Sequence, residues 1–466
     1  MTRYISTRGA SPPIGFLDAV LAGLAPDGGL YSPEVWPSFT ADEIAEFAGK
    51  PYAQVAAAVL SKFAGPDIEP ATMLEMCEVA YATFSHKAVT PISQIGDNLF
   101  MLELFHGPTL AFKDVAMQLL ARLYDHALTT RKRNLTIICA TSGDTGGAAV
   151  EAFRGRRNVR IVALFPEGRI SEVQRRFMTT APDSNVRCLS IQGSFDDCQN
   201  IVKASFADED FRTSVDLSGV NSINWARIAA QSVYYFTAAV ALGGPRRPVA
   251  FVTPTGNFGD AFAGFVARQM GLPIARIIAA TNSNDIVARA FEDGRYARGT
   301  VNHTQSPAMD IQIASNFERL YFETVRRDGV ETARTFSAFA ETGAVTLPAG
   351  ALAAMRQLFS GTAVDEPETV RTILSVRNET GVLIDPHTAV GVAAARRASL
   401  PDRRIPLVVL STAHPAKFPE AVLAASGQSP DAPRGAGDLA SKPERFDRLP
   451  ADAETVKAYV RAFAGA

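Results

Sequence analysis

The sequence predicts an α/β protein with open, mostly parallel sheets, preceded by a helical region. From about residue 98, short β-branched or apolar runs alternate with helical segments, the pattern of parallel strands covered on both faces. Three of those runs lead directly into loops of small polar residues and then into helices, as strand-to-helix turns do at the carboxyl edge of such a sheet. The chain's 466 residues exceed what one hydrophobic core holds, so two or three domains are expected.

The N-terminal part shows apolar residues at steps of three and four, which predicts helices over Ile14–Leu24, Ala41–Phe47, Tyr52–Phe63 and Ala71–Phe84. The Pro26-Asp27-Gly28-Gly29-Leu30 turn punctuates them. The expected strands are then Leu99–Leu102, Leu135–Ile138, Arg160–Leu164, Arg187–Ile191, Val249–Val252, Ala275–Ala279 and Pro406–Leu410. The stretch 426–441, rich in Gly, Pro, Ala and Asp, reads as a surface loop before a last helix over Ala453–Phe463.

Composition excludes several classes. Hydrophobic residues make up 47% and charged residues 20% of the chain, and the formal net charge is -2, which offers no electrostatic attraction for nucleic acid or an anionic membrane. The four cysteines Cys77, Cys139, Cys188 and Cys198 form no Cys-x-x-Cys pair and lie far from any histidine at metal-ligand spacing. No metal is expected. The start Met1-Thr2-Arg3-Tyr4 lacks the apolar core of a signal peptide, and the apolar run near Val233–Leu242 is too short to span a bilayer. A cytoplasmic protein with reduced thiols is the expectation.

Chemistry concentrates in four segments. In Phe105-His106-Gly107-Pro108-Thr109-Leu110-Ala111-Phe112-Lys113-Asp114, a lysine sits in an apolar turn. Desolvation favours its neutral amine, which is a nucleophile suited to Schiff-base chemistry. Thr141-Ser142-Gly143-Asp144-Thr145-Gly146-Gly147 follows a strand; its small residues, hydroxyls and amides suit a carboxylate, although a helix cap after a tight turn has the same composition. Pro254-Thr255-Gly256-Asn257-Phe258-Gly259-Asp260 has the make-up of a phosphate cradle at a helix N-terminus, but fits neither the dinucleotide fingerprint nor the P-loop. Ser411-Thr412-Ala413-His414-Pro415-Ala416-Lys417-Phe418 follows the last strand and also reads as a helix cap.

Taken in order, these segments closely resemble those of the tryptophan-synthase-like, fold type II enzymes that use pyridoxal 5'-phosphate (PLP), and specifically the long bacterial and fungal threonine synthases. The resemblance spans nearly the whole chain, from Pro26-Asp27-Gly28-Gly29-Leu30-Tyr31 through Asn221-Ser222-Ile223-Asn224 and Ala280-Thr281-Asn282 to His414-Pro415-Ala416-Lys417-Phe418. The stretch after Gly427 follows no pattern of the family.

The resemblance implies two mostly parallel α/β domains flanked by helices, with boundaries at 1–90 for the helical region, 91–130 with 215–425 for the larger PLP domain, 131–214 for the smaller domain, and 426–466 for a C-terminal loop and helix. It implies conversion of O-phospho-L-homoserine and water into L-threonine and phosphate, by a monomer or homodimer. Lys113 would carry PLP and move protons. Phe112, Asp144, Gly256, Asn257, Phe258, Gly259, Asp260 and Thr412 would contact PLP; Thr109, Ser142, Gly143, Thr145, Asn221, Asn224 and Arg227 would contact substrate. The family often has Asn where Asp144 stands. An ionised Asp144 would repel a phenolic oxygen, so a shared proton or a turned-away side chain is expected. The Asp260 amide, not its carboxylate, is the expected phosphate ligand. For Asn224 and Arg227, a helix cap and a solvated arginine remain an equal reading. Other readings are a PLP lyase or dehydratase acting on a hydroxy or phosphorylated amino acid, and a PLP-binding paralogue without catalysis.

Overall fold

The β-branched runs do form strands, and they sort into two sheets. A computed structural model describes residues 2–433 and 437–465. The larger sheet has the order Phe359–Ala363, Ile274–Thr281, Val249–Pro254, Leu407–Ser411, Leu99–Glu103, Ile92–Gly96, and is parallel except for the antiparallel last pair. The smaller, wholly parallel sheet has the order Asp447–Pro450, Val186–Gln192, Val159–Pro166, Leu135–Ala140, Leu217–Ser218. In the larger sheet Ser411 pairs with Glu103 and Ala280 with Pro254, so the loops after these strands leave one edge together.

The helix Lys113–Arg131 is buried along most of its length. It packs against Asp144–Phe153 of the smaller unit, Trp225–Ala241 of the larger one and Pro70–Tyr81 of the N-terminal region. A helix enclosed on every side shows little amphipathic contrast.

The N-terminal region has the helices Phe16–Ala22, Ala41–Ala45, Tyr52–Ala64 and Pro70–Tyr81. It is anchored through Trp225, whose ring centroid lies 5.8 Å from Tyr4, 6.0 Å from Trp36 and 5.5 Å from Phe63. Aromatic contacts at these spacings bury large areas and fix ring orientation. A short antiparallel pair, Tyr4–Ser6 with Tyr31–Pro33, adds to the helices expected there. No helix among the described residues is long and apolar enough to cross a membrane.

Two of the elements outside the expectation have a plain physical reason. Phe359–Ala363 carries a glycine at its centre, because a Cβ on Gly361 would lie 2.5 Å from the Ala288 backbone. The helix Ile286–Asp293 can approach this strand only at a glycine. The C-terminal region is more than a loop and helix. Residues 434–436 of the Gly/Pro-rich stretch lie outside the described residues, but beyond them Asp447–Pro450 extends the smaller sheet. The helix Ala453–Ala464 buries Val456 and Val460 against the core that holds Ile201 and Phe211.

Candidate active site

The turn before Lys113 is shaped by its own backbone. Leu110 adopts φ +61°, a strained conformation for a branched residue, and cross-links to the loop after Leu407–Ser411 hold it there. Phe112 N–H donates to the Thr412 carbonyl at 2.8 Å, and His414 N–H donates to the Leu110 carbonyl at 3.0 Å. These two bonds set buried Thr412 beside Lys113. Within the turn, the buried Asp114 carboxylate accepts from Thr109 N–H and Oγ1, each at 2.7 Å. Burial pushes Asp114 up to about 6.

Lys113 itself is buried, with its Nζ 4.8 Å from the centre of the Phe112 ring and 3.6 Å from Asp144 Oδ2. Burial lowers its pKa against the pull of Asp144, and Lys417 and Arg227 lower it further. The amine is thereby eased toward its nucleophilic, neutral form.

Asp144 opens the helix Asp144–Phe153 after Gly143, whose φ of +129° requires a glycine. Thr141 Oγ1 caps the turn, accepting from Gly143 N–H at 2.9 Å and Gly146 N–H at 2.8 Å. Ser142 and Thr145 are half-buried on the same loop. The Asp144 carboxylate receives Lys417 Nζ at 2.8 Å and Gln174 Nε2 at 3.0 Å. Burial would raise its pKa, but the two lysines overcome this and hold it well below the usual carboxylate range.

At the third loop, Phe258 in the left-handed region opens the helix Gly259–Gln269. Thr255 Oγ1 donates to Asp260 Oδ1 at 2.7 Å and accepts from Phe258 N–H at 3.1 Å, and Tyr235 holds the Asp260 carbonyl at 2.7 Å. The Asp260 carboxyl therefore faces inward, and burial pushes it up to about 6. Gly256, Asn257 and Gly259 stay half-buried at the helix N-terminus. A Cβ on Gly256 would meet Ile311 at 3.0 Å and the Ala308 carbonyl at 3.1 Å.

Arg227 completes the site. It is buried, its Nη1 donates to the Val220 carbonyl at 3.1 Å, and its Nε has no partner. Burial lowers it to about 10, with no carboxylate offsetting that cost. A buried guanidinium in this state favours an anionic ligand.

A family model described as pyridoxal-phosphate dependent enzyme matches residues 85–411. Models described as threonine synthase N terminus and threonine synthase, C-terminal, match 3–81 and 388–460. The threonine synthase of Pseudomonas aeruginosa is 50% identical over 461 residues, covering 98% of both chains. The chain belongs to the threonine synthase family.

Two solved threonine synthases share the fold along their full length. The PLP-bound enzyme of Brucella melitensis is 53% identical with a TM-score of 0.97 and full coverage of both chains. The yeast enzyme is 38% identical with a TM-score of 0.93, covering 99% of each. Like its family, this chain is PLP-dependent, and its residues suit that cofactor. A desolvated lysine, a glycine cradle too narrow for a side chain and a buried threonine converge at one sheet edge.

Compared with other expectations for a threonine synthase, two substrate contacts are already engaged elsewhere. Thr109 gives its amide and hydroxyl to Asp114 and its carbonyl to Lys417 at 2.8 Å. Asn224 accepts from Ala226 N–H at 3.0 Å as a helix cap and donates to the Val20 carbonyl at 2.7 Å. Asn221 is exposed. Arg227 is buried, so the solvated-arginine alternative does not hold. Asp144 lies 3.6 Å from Lys113 Nζ and 2.8 Å from Lys417 Nζ, a pair of contacts that the sequence did not show.

Sequence reasoning missed Gln174 and the pairing of Lys417 with Asp144. For Lys417 the sequence allowed a substrate-phosphate ligand or a partly exposed polar residue equally; the side chain is 1% exposed and pairs with Asp144 across the two sheets. No local signal marks either residue as a partner of Asp144.

Proposed function

We propose that this chain converts O-phospho-L-homoserine and water into L-threonine and phosphate at the site around Lys113. The observation that carries this is the buried guanidinium of Arg227, whose Nε has no partner and which no carboxylate neutralises, within electrostatic reach of Lys113: a place for a substrate phosphate beside a nucleophilic amine. When bound, PLP supplies an electron sink for negative charge at the substrate carbons.

The chain's own residues do the rest. Lys113 anchors the cofactor and then, as a free amine, takes the proton from the substrate α-carbon and returns protons later in the sequence. Phe112 flanks that amine. Ser142, Gly143 and Thr145 hold the substrate carboxylate at a helix N-terminus. The amides of Gly256, Asn257, Phe258, Gly259 and Asp260 hold the cofactor phosphate, and the Thr412 hydroxyl partners the ring nitrogen without forcing it to be charged. Arg227, with Asn221 at the rim, holds the phosphate that leaves the γ-carbon while water adds at the β-carbon. Asp144 stays ionised, its charge balanced by Lys417, and so sits beside an anionic oxygen with less repulsion. The same reading places the protein in the cytoplasm, supported by its four buried, free cysteines.

The test is phosphate release from O-phospho-L-homoserine, together with the visible absorbance of the cofactor–lysine linkage and its loss on borohydride reduction, in wild type and Lys113→Ala. The variant is expected to lose the absorbance and at least about 10³-fold in rate. Threonine formation by the variant would overturn the assignment. A wild-type absorbance without activity on this substrate would point to a lyase acting on another amino acid.

A further inference from the structure

Asp385, His387 and Thr388 form a buried cluster that none of the steps above employs. They are 0%, 3% and 0% exposed and open the helix Pro386–Arg397 beneath the larger sheet. Asp385 Oδ2 accepts from His387 N–H at 3.0 Å and from His387 Nδ1 at 2.7 Å. Asp385 Oδ1 accepts from Thr388 N–H at 3.1 Å and from the Thr388 hydroxyl. A helix cap needs only the two backbone bonds. The two side-chain bonds carry the carboxylate's influence away from the helix, in two directions.

One direction leads to the phosphate cradle. Ala308 N–H donates to His387 Nε2 at 3.2 Å, so this nitrogen carries a lone pair, and the ring proton lies on Nδ1, donated to Asp385. Ala308 belongs to the turn Pro307–Met309, and its carbonyl would stand 3.1 Å from a Cβ on Gly256, with Ile311 at 3.0 Å. The turn fixed by His387 is therefore the backing of the Gly256 loop. The other direction leads to the ring-nitrogen end. The Thr388 hydroxyl gives its proton to Asp385, so it must accept from Ser411 Oγ, 2.9 Å away. Ser411 directly precedes Thr412, and its carbonyl accepts from Leu104 N–H at 2.9 Å at the start of the lysine turn.

We infer that Asp385 is a positioning residue that sets both ends of the cofactor pocket, the phosphate end through His387 and Ala308 and the ring-nitrogen end through Thr388 and Ser411. This rests on the reading that the Gly256–Asp260 loop and Thr412 contact PLP. Groups that hold a binding shell in place govern its affinity without touching the ligand.

The two arms can be separated with the full-length protein. Binding of PLP and of pyridoxal, which lacks the phosphate, is measured by absorbance after cofactor removal for wild type, His387→Ala, His387→Gln and Thr388→Val, and borohydride-trapped PLP is mapped to its residue. His387→Ala is expected to weaken PLP roughly tenfold or more while leaving pyridoxal binding unchanged. His387→Gln, whose amide oxygen can accept from Ala308 N–H, should recover most of that loss. Thr388→Val should shift the visible band of the bound cofactor while PLP affinity stays near wild type. Asp385 itself is left intact because it also caps the helix.

Equal weakening of PLP and pyridoxal in His387→Ala, or no weakening of either, would overturn the inference, as would an unaltered spectrum in Thr388→Val. Trapping of PLP on a residue other than Lys113 would overturn the reading of the site itself, and the inference with it.

Discussion

Lys417 meets Asp144 and the Thr109 carbonyl at 2.8 Å each, and its truncation would strand a buried carboxylate. Removing one member of a buried pair typically costs about 3–5 kcal/mol, whereas removing both can be nearly neutral. Lys417→Met is therefore expected to destabilise the protein by about that amount, and Lys417→Met with Asp144→Asn to recover most of it. A double-mutant cycle by guanidinium titration measures the coupling, and strict additivity would refute it. Asp260 predicts a pH effect of definite sign. Burial lifts its folded pKa to about 6, above an unfolded value of about 4. The folded state thus holds a proton that the unfolded chain releases. The stabilisation is full below about pH 4 and is lost as pH rises through about 6. Wild type should lose on the order of 1–3 kcal/mol of stability relative to Asp260→Asn between pH 4 and 7. A pH-independent difference would show that Asp260 is already ionised under acid conditions.

The strand-loop-helix unit is the element that repeats, and each copy is closed by one side chain. Thr141 Oγ1 does so for the Ser142–Thr145 loop by accepting two amides. Thr141→Val leaves both donors without an acceptor, at a cost of about 1–2 kcal/mol. It should raise KM for substrate more than it lowers kcat, because the loop that loses its shape binds the carboxylate. Steady-state kinetics check this, and an unchanged KM would remove the loop from substrate binding. These loops were legible in sequence because Gly, Thr, Ser and Asp cluster where a strand must turn sharply into a helix. The strand Phe359–Ala363 was not, since the residue that lets Ala288 approach it is a glycine, which lowers strand propensity.

At the scale of the molecule, the last segment of chain belongs to the smaller sheet. Glu444 receives Arg175 at 2.8 and 3.0 Å, and Asp447–Pro450 covers the edge of Val186–Gln192. Val456 and Val460 are fully buried, burial worth roughly 3–6 kcal/mol together. Removing residues 442–466 should destabilise the smaller unit by several kcal/mol and expose the Val186–Gln192 amides, while the strands of the larger sheet keep their protection. Hydrogen exchange read by mass spectrometry distinguishes this from a uniform loss.

The fold class, the order of the strands along the chain and the lysine turn follow from short-range pattern: alternation of apolar residues, glycine-rich turns and a lysine among apolar neighbours are all local. Family likeness then joined those segments into one cofactor site. What tertiary structure alone decided is which distant groups share a buried volume. Lys417 with Asp144, His387 with Ala308, and the C-terminal strand with Val186–Gln192 are partners because sheet order and register bring them together. Buried charges and donors must be matched inside a low-dielectric interior. The identity of the match depends on three-dimensional proximity, which no spacing along the chain encodes.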